Sequence, residues 1–486
     1  MKNLFKILFL FSVFIPIVSC IEDEEFVWSE RACLSFSEDT INFNTVISGS
    51  PSFTQTLWIY NEDDKNIIIP RVRLLMNDSS VFRINIDGMS VSQAEAHDVE
   101  IRSKDSLCIF VDAFAPTTEN AEPVEIKDQL IFVLNDGVEQ RVQLLVKSQS
   151  VNPITRWFVD ADTVLSANRP YHVKDTLCVM PDVTLTLDPG VVMLFQSNAV
   201  FEIRGRLIAN GTCLNQVVFR GDRFDDMFKN QPYDRVSGQW QGLHFTTSSY
   251  GNELHHVDLH SARTAVLCDS SNTEKEKILI ENSIIHNNSQ DGLCFINVNT
   301  RVGNSQISNC GGNCVTIIGG RHEFTHATLA QFYPFALHGT ALYFTNVNNE
   351  LRCPLHALNF TNSIITGSSG DEIMGVSSDR YTDTPFNYSF SYCLLNTPYV
   401  EHEAFVNCLW DDGKDESPAK QDNFYPPFSN DSLIYTFGLS PKSKAVDAAY
   451  APFTQSTYPL DRLGVVRELD KPDLGCYELI KEETED

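Results

Sequence analysis

The fold is decided by the stretch Asn282-Ser283-Ile284-Ile285, which returns in related form further along the chain. Asn304-Ser305-Gln306-Ile307 and His326-Ala327-Thr328-Leu329 follow it, each starting 22 residues after the one before. Asn362-Ser363-Ile364-Ile365 repeats the pattern after an irregular insertion, and His256-Val257-Asp258-Leu259 precedes the series by 26 residues. A period near 22 lies in the range of stacked solenoid coils. Because leucines do not recur at the offsets of a leucine-rich repeat, the spacing predicts single-turn β-helix coils of three short strands.

Two further groups of residues extend this pattern to about residues 157–478, and there the chain resembles the right-handed parallel β-helix of the pectate-lyase-like superfamily. The opening group is Leu187-Asp188-Pro189-Gly190-Val191, Gly205-Arg206-Leu207 and Trp240-Gln241-Gly242. The closing group is Ser443-Lys444-Ala445-Val446-Asp447-Ala448, Asp461, Gly464, Arg467 and Pro472-Asp473-Leu474-Gly475-Cys476-Tyr477-Glu478, where Lys444 and Ala449 depart from the usual Pro and Gly. The resemblance implies that this closing segment is structural and covers the exposed edge of the last coil.

Residues 26–150 alternate apolar and other residues with period two, which is typical of strands with one buried face. Examples are Leu57 with Ile59 and Phe82 with Ile84, and Asn135-Asp136-Gly137 is a strong hairpin signal. The pattern predicts a β-sandwich and resembles the hydin-like immunoglobulin-type domains, which imply binding or spacing rather than catalysis. The whole chain is therefore predicted to be all-β, with an acidic tether and an immunoglobulin-like sandwich in 21–150, a right-handed parallel β-helix in 151–435 and a closing segment with an acidic tail in 436–486.

The first 20 residues have a basic start, an apolar run from Ile7 to Val18 and then Ser19-Cys20, and this predicts a secretory signal peptide. The ending resembles a bacterial lipobox, which implies lipidation at Cys20. The alternative is ordinary cleavage with Cys20 as an incidental thiol. Ile21-Glu22-Asp23-Glu24-Glu25 resembles an acidic tag for export to the outer face of the outer membrane, or is a solvated tether. We therefore expect a lipid-anchored outer-membrane protein that faces the exterior of the cell.

Composition excludes some classes of partner. Lys and Arg number 36 against 64 Asp and Glu, for a formal net charge of −28 over 486 residues. Phosphate contacts need clustered Lys and Arg, so we expect no nucleic-acid partner and no docking to anionic lipid through a polybasic face. Of the 13 cysteines, 12 remain after Cys20, and most lie singly in apolar runs. We expect core roles for most of them, at most one or two disulfides, and a monomer.

We also consider an enzymatic function, because the pectate-lyase-like superfamily includes lyases and glycosidases that act on acidic polysaccharides. A lyase of this kind needs Ca²⁺ held by several carboxylates, with a basic residue beside them. The first candidates are Asp222, Asp225 and Asp226 with Arg223. A second acidic cluster consists of Asp411, Asp412, Asp415 and Glu416. Solvated loop acids explain both clusters more simply in so acidic a chain, and the paired motifs of hydrolases are absent, so no resident cofactor is expected.

Five histidines, His244, His255, His256, His260 and His286, fall close enough together to stack on successive coils. They lack the spacing of a zinc motif, so the sequence predicts no metal site.

Aromatic residues offer a binding alternative because sugar rings stack on them. The candidates are Trp240, Tyr250, Tyr381 and Tyr388, and residues 372–392 are the favoured functional insertion, although packing of these rings on the solenoid side is the simpler explanation. The sequence thus favours a surface lipoprotein that binds a glycan or surface partner without catalysis. The alternatives are a polysaccharide lyase or glycoside hydrolase for uronic-acid polymers, and a structural, adhesin-like spacer.

Overall fold

A computed structural model describes residues 26–28, 34–90, 95–228, 231–335, 337–411 and 420–480. The expected signal peptide, Cys20, the acidic tag, and Asp412, Asp415 and Glu416 lie outside these residues. The chain divides into two compact units. Of the described residues, one unit comprises those within 26–43, 50–115 and 125–146, and the other comprises those within 44–49, 116–124 and 147–480. No helix among the described residues is long and apolar enough to cross a membrane.

The first unit is built from two β-sheets, as the period-two pattern predicts. The first sheet contains, in spatial order, Phe26–Trp28, Asn66–Leu74, Val124–Val133, Glu139–Gln149 and Thr40–Ile47, with Ala96–Ile101 also paired to Asn66–Leu74. The second contains Leu34–Phe36, Gln55–Asn61, Ser106–Ala113, Phe82–Ile86 and Met89–Ser90. A short 3₁₀ helix, Asn77–Ser79, precedes Phe82–Ile86.

The alternation of burial in the strand Gln55–Asn61 shows why these residues form a sandwich. Leu57 and Ile59 are fully buried, whereas Trp58 and Tyr60 are 42% and 38% exposed. Successive strand side chains point to opposite faces, so one face of the sheet is core and the other is wet. The hairpin at Asn135-Asp136-Gly137 is confirmed, since Gly137 has a φ of 79° and its N–H donates to Leu134 O over 3.0 Å.

The second unit is a parallel β-helix whose coils each contribute up to three strands, and we name its three stacks of strands the first, second and third faces. The first face contains the start of Tyr171–Val179, then Val192–Phe195, Val217–Gly221, Val257–His260, Ile284–Asn288, Gln306–Cys310, Thr328–Gln331, Ile364–Gly367, Leu394–Leu395 and Leu409–Trp410. The second face contains the end of Tyr171–Val179, then Val200–Ile203, Leu243–Phe245, Val266–Cys268, Leu293–Ile296, Val315–Ile318, Leu342–Thr345 and Ile373–Val376. Asn152–Val159 pairs along the whole length of Tyr171–Val179.

The third face is a separate ten-stranded parallel sheet. Its strands are Thr163–Leu165, Thr184–Leu187, Arg206–Asn210, Asn252–His255, Glu276–Glu281, Asn299–Gly303, Gly320–Thr325, Leu355–Thr361, Ser389–Ser391 and Phe405–Val406. Small elements leave the coils at Asp226–Phe228 with Gln231–Pro232, at Tyr233–Arg235, and at Val347–Asn348 with Leu351–Arg352.

The 22-residue period is confirmed by the strand register. His286 pairs with Ser308 on the first face, Cys294 with Thr316 on the second and Arg301 with Glu323 on the third. The same offset on all three faces means that one coil lies directly on the next. Aligned coils place equivalent side chains in rows, which is the property that positions the site.

The repeated Asn-Ser pair forms the turn between the third and first faces. Asn282, Asn304 and Asn362 have φ angles of 53°, 51° and 52°, a left-handed conformation that Asn tolerates better than most residues. The serine that follows links one coil to the next. Ser305 Oγ donates to Gly303 O over 2.7 Å and accepts from Ser283 N over 3.0 Å. In the repeat, the Asn is therefore explained by the left-handed turn, and the Ser by the hydrogen bonds that link one coil to the next.

The C-terminal segment, residues 420–480, lies against the outer side of the first face and contains Lys420–Asn423, Phe428–Ser429, Ile434–Tyr435 and the single α-helix of the described residues, Ala451–Thr457. It contacts the last coil, where Lys444 Nζ donates to Trp410 O over 3.3 Å. Most of it runs back along the solenoid, as far as a contact of Cys213 Sγ with Leu463 O at 2.8 Å. The expected role of covering the last coil is thus only a small part of what this segment does.

The motif residues of the closing segment form one buried network around Arg467. The Arg467 guanidinium lies 3.2 Å from Glu478 Oε2 and donates to Asn304 Oδ1 and Gly475 O, both over 2.8 Å. Asp461 Oδ2 accepts from Glu478 N over 3.0 Å. Because Asn304 is a turn residue of the repeat, this network joins the segment to the coils.

Replacing Arg467 with Met should lower the free energy of unfolding by about 3–5 kcal/mol, because Glu478 would be left as an unpaired buried charge. The control is Arg301→Met, since Arg301 is 50% exposed in its ion pair with Glu276 and such pairs contribute about 1 kcal/mol or less. Urea unfolding followed by circular dichroism measures both. Equal decreases in the free energy of unfolding of the two variants would show that Arg467 does not anchor the C-terminal segment.

A second prediction concerns His322, which is buried on the third face and stacked at 5.8 Å on Phe295. Its Nε2–H donates to Gly319 O over 2.7 Å, and Nδ1 accepts from Thr300 Oγ1 over 2.8 Å. Burial lowers the pKa of His322 from 6.5 to about 4. The folded chain therefore binds fewer protons here than the unfolded chain, so the stability that His322 supports is complete above about pH 6.5 and falls as the pH decreases.

Between about pH 7 and pH 5, the wild type should lose about 2 kcal/mol more unfolding free energy than His322→Gln. Urea unfolding of both proteins at the two pH values measures the difference. A pH-independent difference between them would contradict the prediction.

Candidate functional site

The candidate site lies on the outer side of the first face, where three strands bring polar side chains into rows. Leu259, Ile285 and Ile307 point into the core, so their neighbours in the strands point outward. Register places His260 beside His286, and His286 beside Ser308. A parallel row contains Asp258, Ile284 and Gln306.

Asp258, His260 and His286 form a compact cluster on these rows. Asp258 Oδ1 accepts hydrogen bonds from His260 Nδ1 over 2.9 Å and from His286 Nε2 over 3.2 Å. Burial opposes ionisation of Asp258, but the charge and hydrogen bonds of the two histidines outweigh it and hold the pKa of this carboxyl well below its usual range. Burial lowers the pKa of His286, against the effect of Asp258. Asp258 is therefore an anion and His286 a neutral imidazole near pH 7.

A second layer of charged groups surrounds His260. Arg220 lies 3.2 Å from Asp234, and the same Asp234 oxygen lies 3.9 Å from His260 Nε2. His260 is 6% exposed, and this nitrogen has no hydrogen-bond partner. Trp240 Nε1 donates to His260 O over 3.0 Å and fixes the backbone at this point.

The C-terminal segment encloses a cavity of about 390 Å³ over this part of the first face. This volume falls within the range of small-ligand sites. Its lining combines polar groups of the coils with aromatic and apolar groups of the segment, namely Arg235, Asp258, Ile284, His286, Asn287, Gln306, Ser308, Asn309, Leu433, Ile434, Tyr435, Thr436, Phe437, Gly438, Leu463 and Tyr477.

Arg235 gives the cavity a cationic group, and this guanidinium makes no ion pair with the carboxylates of the described ranges. Asp258 is the single acidic residue in the lining. Tyr477 OH donates to Gln306 Oε1 over 2.7 Å, which orients the amide of Gln306. The cavity therefore presents a cation, an anion and several neutral hydrogen-bonding groups beside aromatic rings.

The acidic cluster proposed from the sequence is engaged in separate contacts. Asp222 accepts from His172 Nε2 over 3.0 Å, and Asp225 forms a two-point ion pair with Arg223 at 2.7 and 2.5 Å. Asp226 is exposed in the strand Asp226–Phe228. Within the described part of the chain, the three side chains that gather closely enough for a metal are Asp258, His260 and His286. Asp411, from the second cluster, is buried and accepts from Asn423 Nδ2 over 3.3 Å.

Trp240 requires a correction among the aromatic candidates. It is 1% exposed and stacks on Phe195 at 4.1 Å inside the solenoid, so it cannot receive a sugar ring. The pattern Trp240-Gln241-Gly242 resembles a loop in sequence, but the indole fills the core at the point where a coil begins. Tyr388 is half-buried among Phe344, Phe386 and other rings.

The two remaining tyrosines are partly exposed and already have neighbours. Tyr250 OH accepts from Asn272 N over 3.0 Å, and the Tyr381 ring lies under Arg352 at 4.7 Å and Arg380 at 5.2 Å. Neither of them lines the cavity. Within the favoured insertion 372–392, Glu372 is fully buried and accepts from Ser369 N and Ala341 N, which is a structural role.

The other histidines have separate positions. His244 pairs with Asp269 at 2.9 Å, and His255 lies between Glu253 and Glu281. His256 occupies a turn with a φ of 47°. Of the five histidines that the sequence groups together, His260 and His286 meet, and both contact Asp258. The two coils pair with an offset of 26 residues, which aligns His260 with His286 and so brings His286 beside Asp258.

The cysteines of the described residues carry free thiols, and Cys178, Cys268, Cys310, Cys314, Cys393 and Cys476 are buried. Burial raises the pKa of Cys268, Cys294 and Cys476, to about 12 for Cys294 and about 11 for Cys476. These thiols are apolar core groups rather than nucleophiles.

The fold and the site together define a parallel β-helix that follows a β-sandwich and carries, on one face, a cavity with a mixed polar and apolar lining. No protein-family profile matches the chain, and no curated protein matches it. A structural match is a family 123 glycoside hydrolase from Clostridium perfringens, with a TM-score of 0.18 and 8% identity, covering 24% of this chain and 25% of that one. Another is a PapD-like domain of human CEP192, with a TM-score of 0.17 and 12% identity, covering 25% of this chain and 87% of that one.

Proposed function

We propose that the protein is a surface-exposed lipoprotein whose β-helix binds an acidic glycan in the cavity beside Asp258 and His286, without catalysis. The observation that carries the proposal is a cavity lined by Arg235, by hydrogen-bonding side chains of successive coils and by Tyr435 and Tyr477 of the C-terminal segment. The polar groups of the coils come from the strands Val257–His260, Ile284–Asn288 and Gln306–Cys310, whereas Arg235 comes from the short 3₁₀ helix Tyr233–Arg235. Groups held by regular elements favour selective recognition.

The chemistry of the lining favours a sugar that carries a carboxylate. A guanidinium pairs with a carboxylate through two parallel hydrogen bonds, and Arg235 has no competing ion pair among the described carboxylates. Gln306, Ser308 and Asn309 supply neutral donors and acceptors for hydroxyl groups. Tyrosine rings pack against the apolar face of a sugar. Uronic-acid polymers combine these three features.

Binding is favoured over hydrolysis because glycoside hydrolysis ordinarily uses two carboxyl groups, and the cavity lining supplies Asp258 alone. Asp258 is also held as an anion by two histidines, so it is a poor proton donor. A lyase needs a base and a cation that neutralises the sugar carboxylate rather than two carboxyl groups, so the alternative to be tested is elimination with the neutral imidazole of His286 as the base and Arg235 as the cation.

Titration of the purified chain with uronic-acid oligosaccharides in a calorimeter should show saturable binding, which Arg235→Ala weakens at least tenfold. Removing the cation leaves the carboxylate of the sugar without its partner in the cavity. Arg301→Ala is the matched control, because Arg301 lies on the third face and outside the cavity.

Absorbance of unsaturated product is followed in the same samples. Product that disappears in His286→Gln would overturn the binding-only proposal in favour of a lyase. Absence of binding to every uronic-acid polymer, or equal affinity in the two arginine variants, would overturn the assignment of the cavity and favour the structural spacer.

The proposed lipid anchor has its own test at Cys20, which lies outside the described residues. In cells fed a clickable fatty acid, the wild-type chain should be labelled and Cys20→Ala should not. The control is Cys213→Ala, which removes an exposed cysteine elsewhere in the chain and should still be labelled. Cys20→Ala should be absent from the membrane fraction, because this variant carries no acyl chain to hold it there. A Cys20→Ala chain that remains labelled and membrane-bound would contradict the anchor, and resistance of the wild type to protease added to intact cells would contradict the outward orientation.

A further inference from the structure

The donor atoms of Asp258, His260 and His286 all lie within 4.8 Å of one another, on rows fixed by the stacking of two coils. We propose that these three residues bind one Zn²⁺-class divalent ion at the edge of the cavity. The inference is independent of the glycan, since it follows from the donor set alone.

The spacing of the donors suits a tetrahedral ion. Asp258 Oδ1 lies 2.9 Å from His260 Nδ1 and 3.2 Å from His286 Nε2. Ligand distances of about 2.0–2.1 Å in a tetrahedral zinc site place the ligand atoms about 3.3 Å apart. Asp258 therefore needs to separate from each histidine by only a few tenths of an ångström, while the two histidine nitrogens, which lie within 4.8 Å of each other, must draw closer to share the ion.

The environment of His260 provides the second, independent observation. Its Nε2 is buried without a hydrogen-bond partner, and Asp234 Oδ2 lies 3.9 Å away. When Nδ1 coordinates an ion it loses its proton, and the neutral ring then carries its hydrogen on Nε2, facing Asp234. A carboxylate that accepts from the second nitrogen of a ligating histidine is a common feature of zinc sites. Metal binding would thus give this nitrogen a hydrogen that faces Asp234, and closing the 3.9 Å gap to hydrogen-bond distance would satisfy it.

The choice of ion follows from the ligand types. Two imidazoles and one carboxylate suit Zn²⁺ and its late first-row neighbours, whereas Ca²⁺ and Mg²⁺ prefer oxygen ligands. Three protein ligands leave one coordination position for water or a ligand. Asp258 and His286 line the cavity, so that position faces the space proposed for the glycan.

Two neighbouring histidine sites lack this geometry and serve as controls. His255 uses opposite ring nitrogens toward Glu253 and Glu281, at 3.2 and 3.4 Å. One ion cannot reach both nitrogens of a single imidazole. Among the carboxylates of the described residues, His244 pairs with Asp269 alone, and both side chains are more than a third exposed.

The test uses the full chain stripped with a chelator, reloaded with Zn²⁺ and passed through gel filtration before metal analysis. We expect one zinc per chain in the wild type, His255→Ala and Arg235→Ala, and at least a tenfold loss of zinc affinity in His286→Gln and Asp258→Asn. Circular dichroism shows whether each variant is folded. Retention of zinc by Arg235→Ala separates this site from the glycan proposal, because that variant removes the proposed sugar contact and no metal ligand.

Cobalt substitution of the wild type provides a readout that needs no variant. Co²⁺ in the proposed site should give the visible absorption of a four-coordinate nitrogen and oxygen site, without a thiolate charge-transfer band. A thiolate band would place the metal on the cysteines and overturn the proposal. So would a wild type that takes up no zinc, or folded His286→Gln and Asp258→Asn variants that bind zinc as the wild type does.

Discussion

Parallel hydrogen bonding between successive coils is the interaction on which the rest of the β-helix depends. It can continue only if each coil turns at the same places as the one below, and the turn after the third face requires a left-handed residue. Asn282, Asn304 and Asn362 meet that requirement, and the adjoining serines connect the coils through their hydroxyls. An error of one residue at any turn would exchange inward and outward side chains on the next strand.

The site is a consequence of this alignment. Because the coils are in register, side chains far apart in the sequence become neighbours in a row, and His260 meets His286. The outer side of the first face changes character along its length. It is polar at Asp258 and His286, and apolar at Ala330, Ile364 and Leu394, where Leu474 and Phe437 pack on it. The C-terminal segment is therefore held by apolar contact at one end and leaves a cavity over the polar end.

Sequence patterns predicted the architecture because it is governed by local rules: alternation in the sandwich, a repeated turn in the solenoid, and the motif around Arg467. The candidate site was less accessible. Asp222, Asp225 and Asp226 attract notice as neighbours in sequence, yet each finds a separate environment. Asp258 has one partner, His260, in its own strand, and it acquires the second, His286, only through the register of the next coil. Trp240 was misplaced because burial depends on where a coil closes, which spacing alone does not give.

The path of the C-terminal segment also imposes an order of assembly. Tyr458 bonds Glu281 across 177 residues, and Cys213 meets Leu463 across 250. Such long closures are entropically costly until the coils exist as a template. During synthesis, the apolar side chains of Ala330 and Ile364 remain exposed to solvent until the C-terminal residues that cover them, such as Phe437 and Leu474, have been made. The cavity is consequently the last feature to form, and a chain truncated before Tyr435 would lose Tyr435, Phe437 and Tyr477 from the lining, so that Asp258 and His286 would lie on an uncovered face.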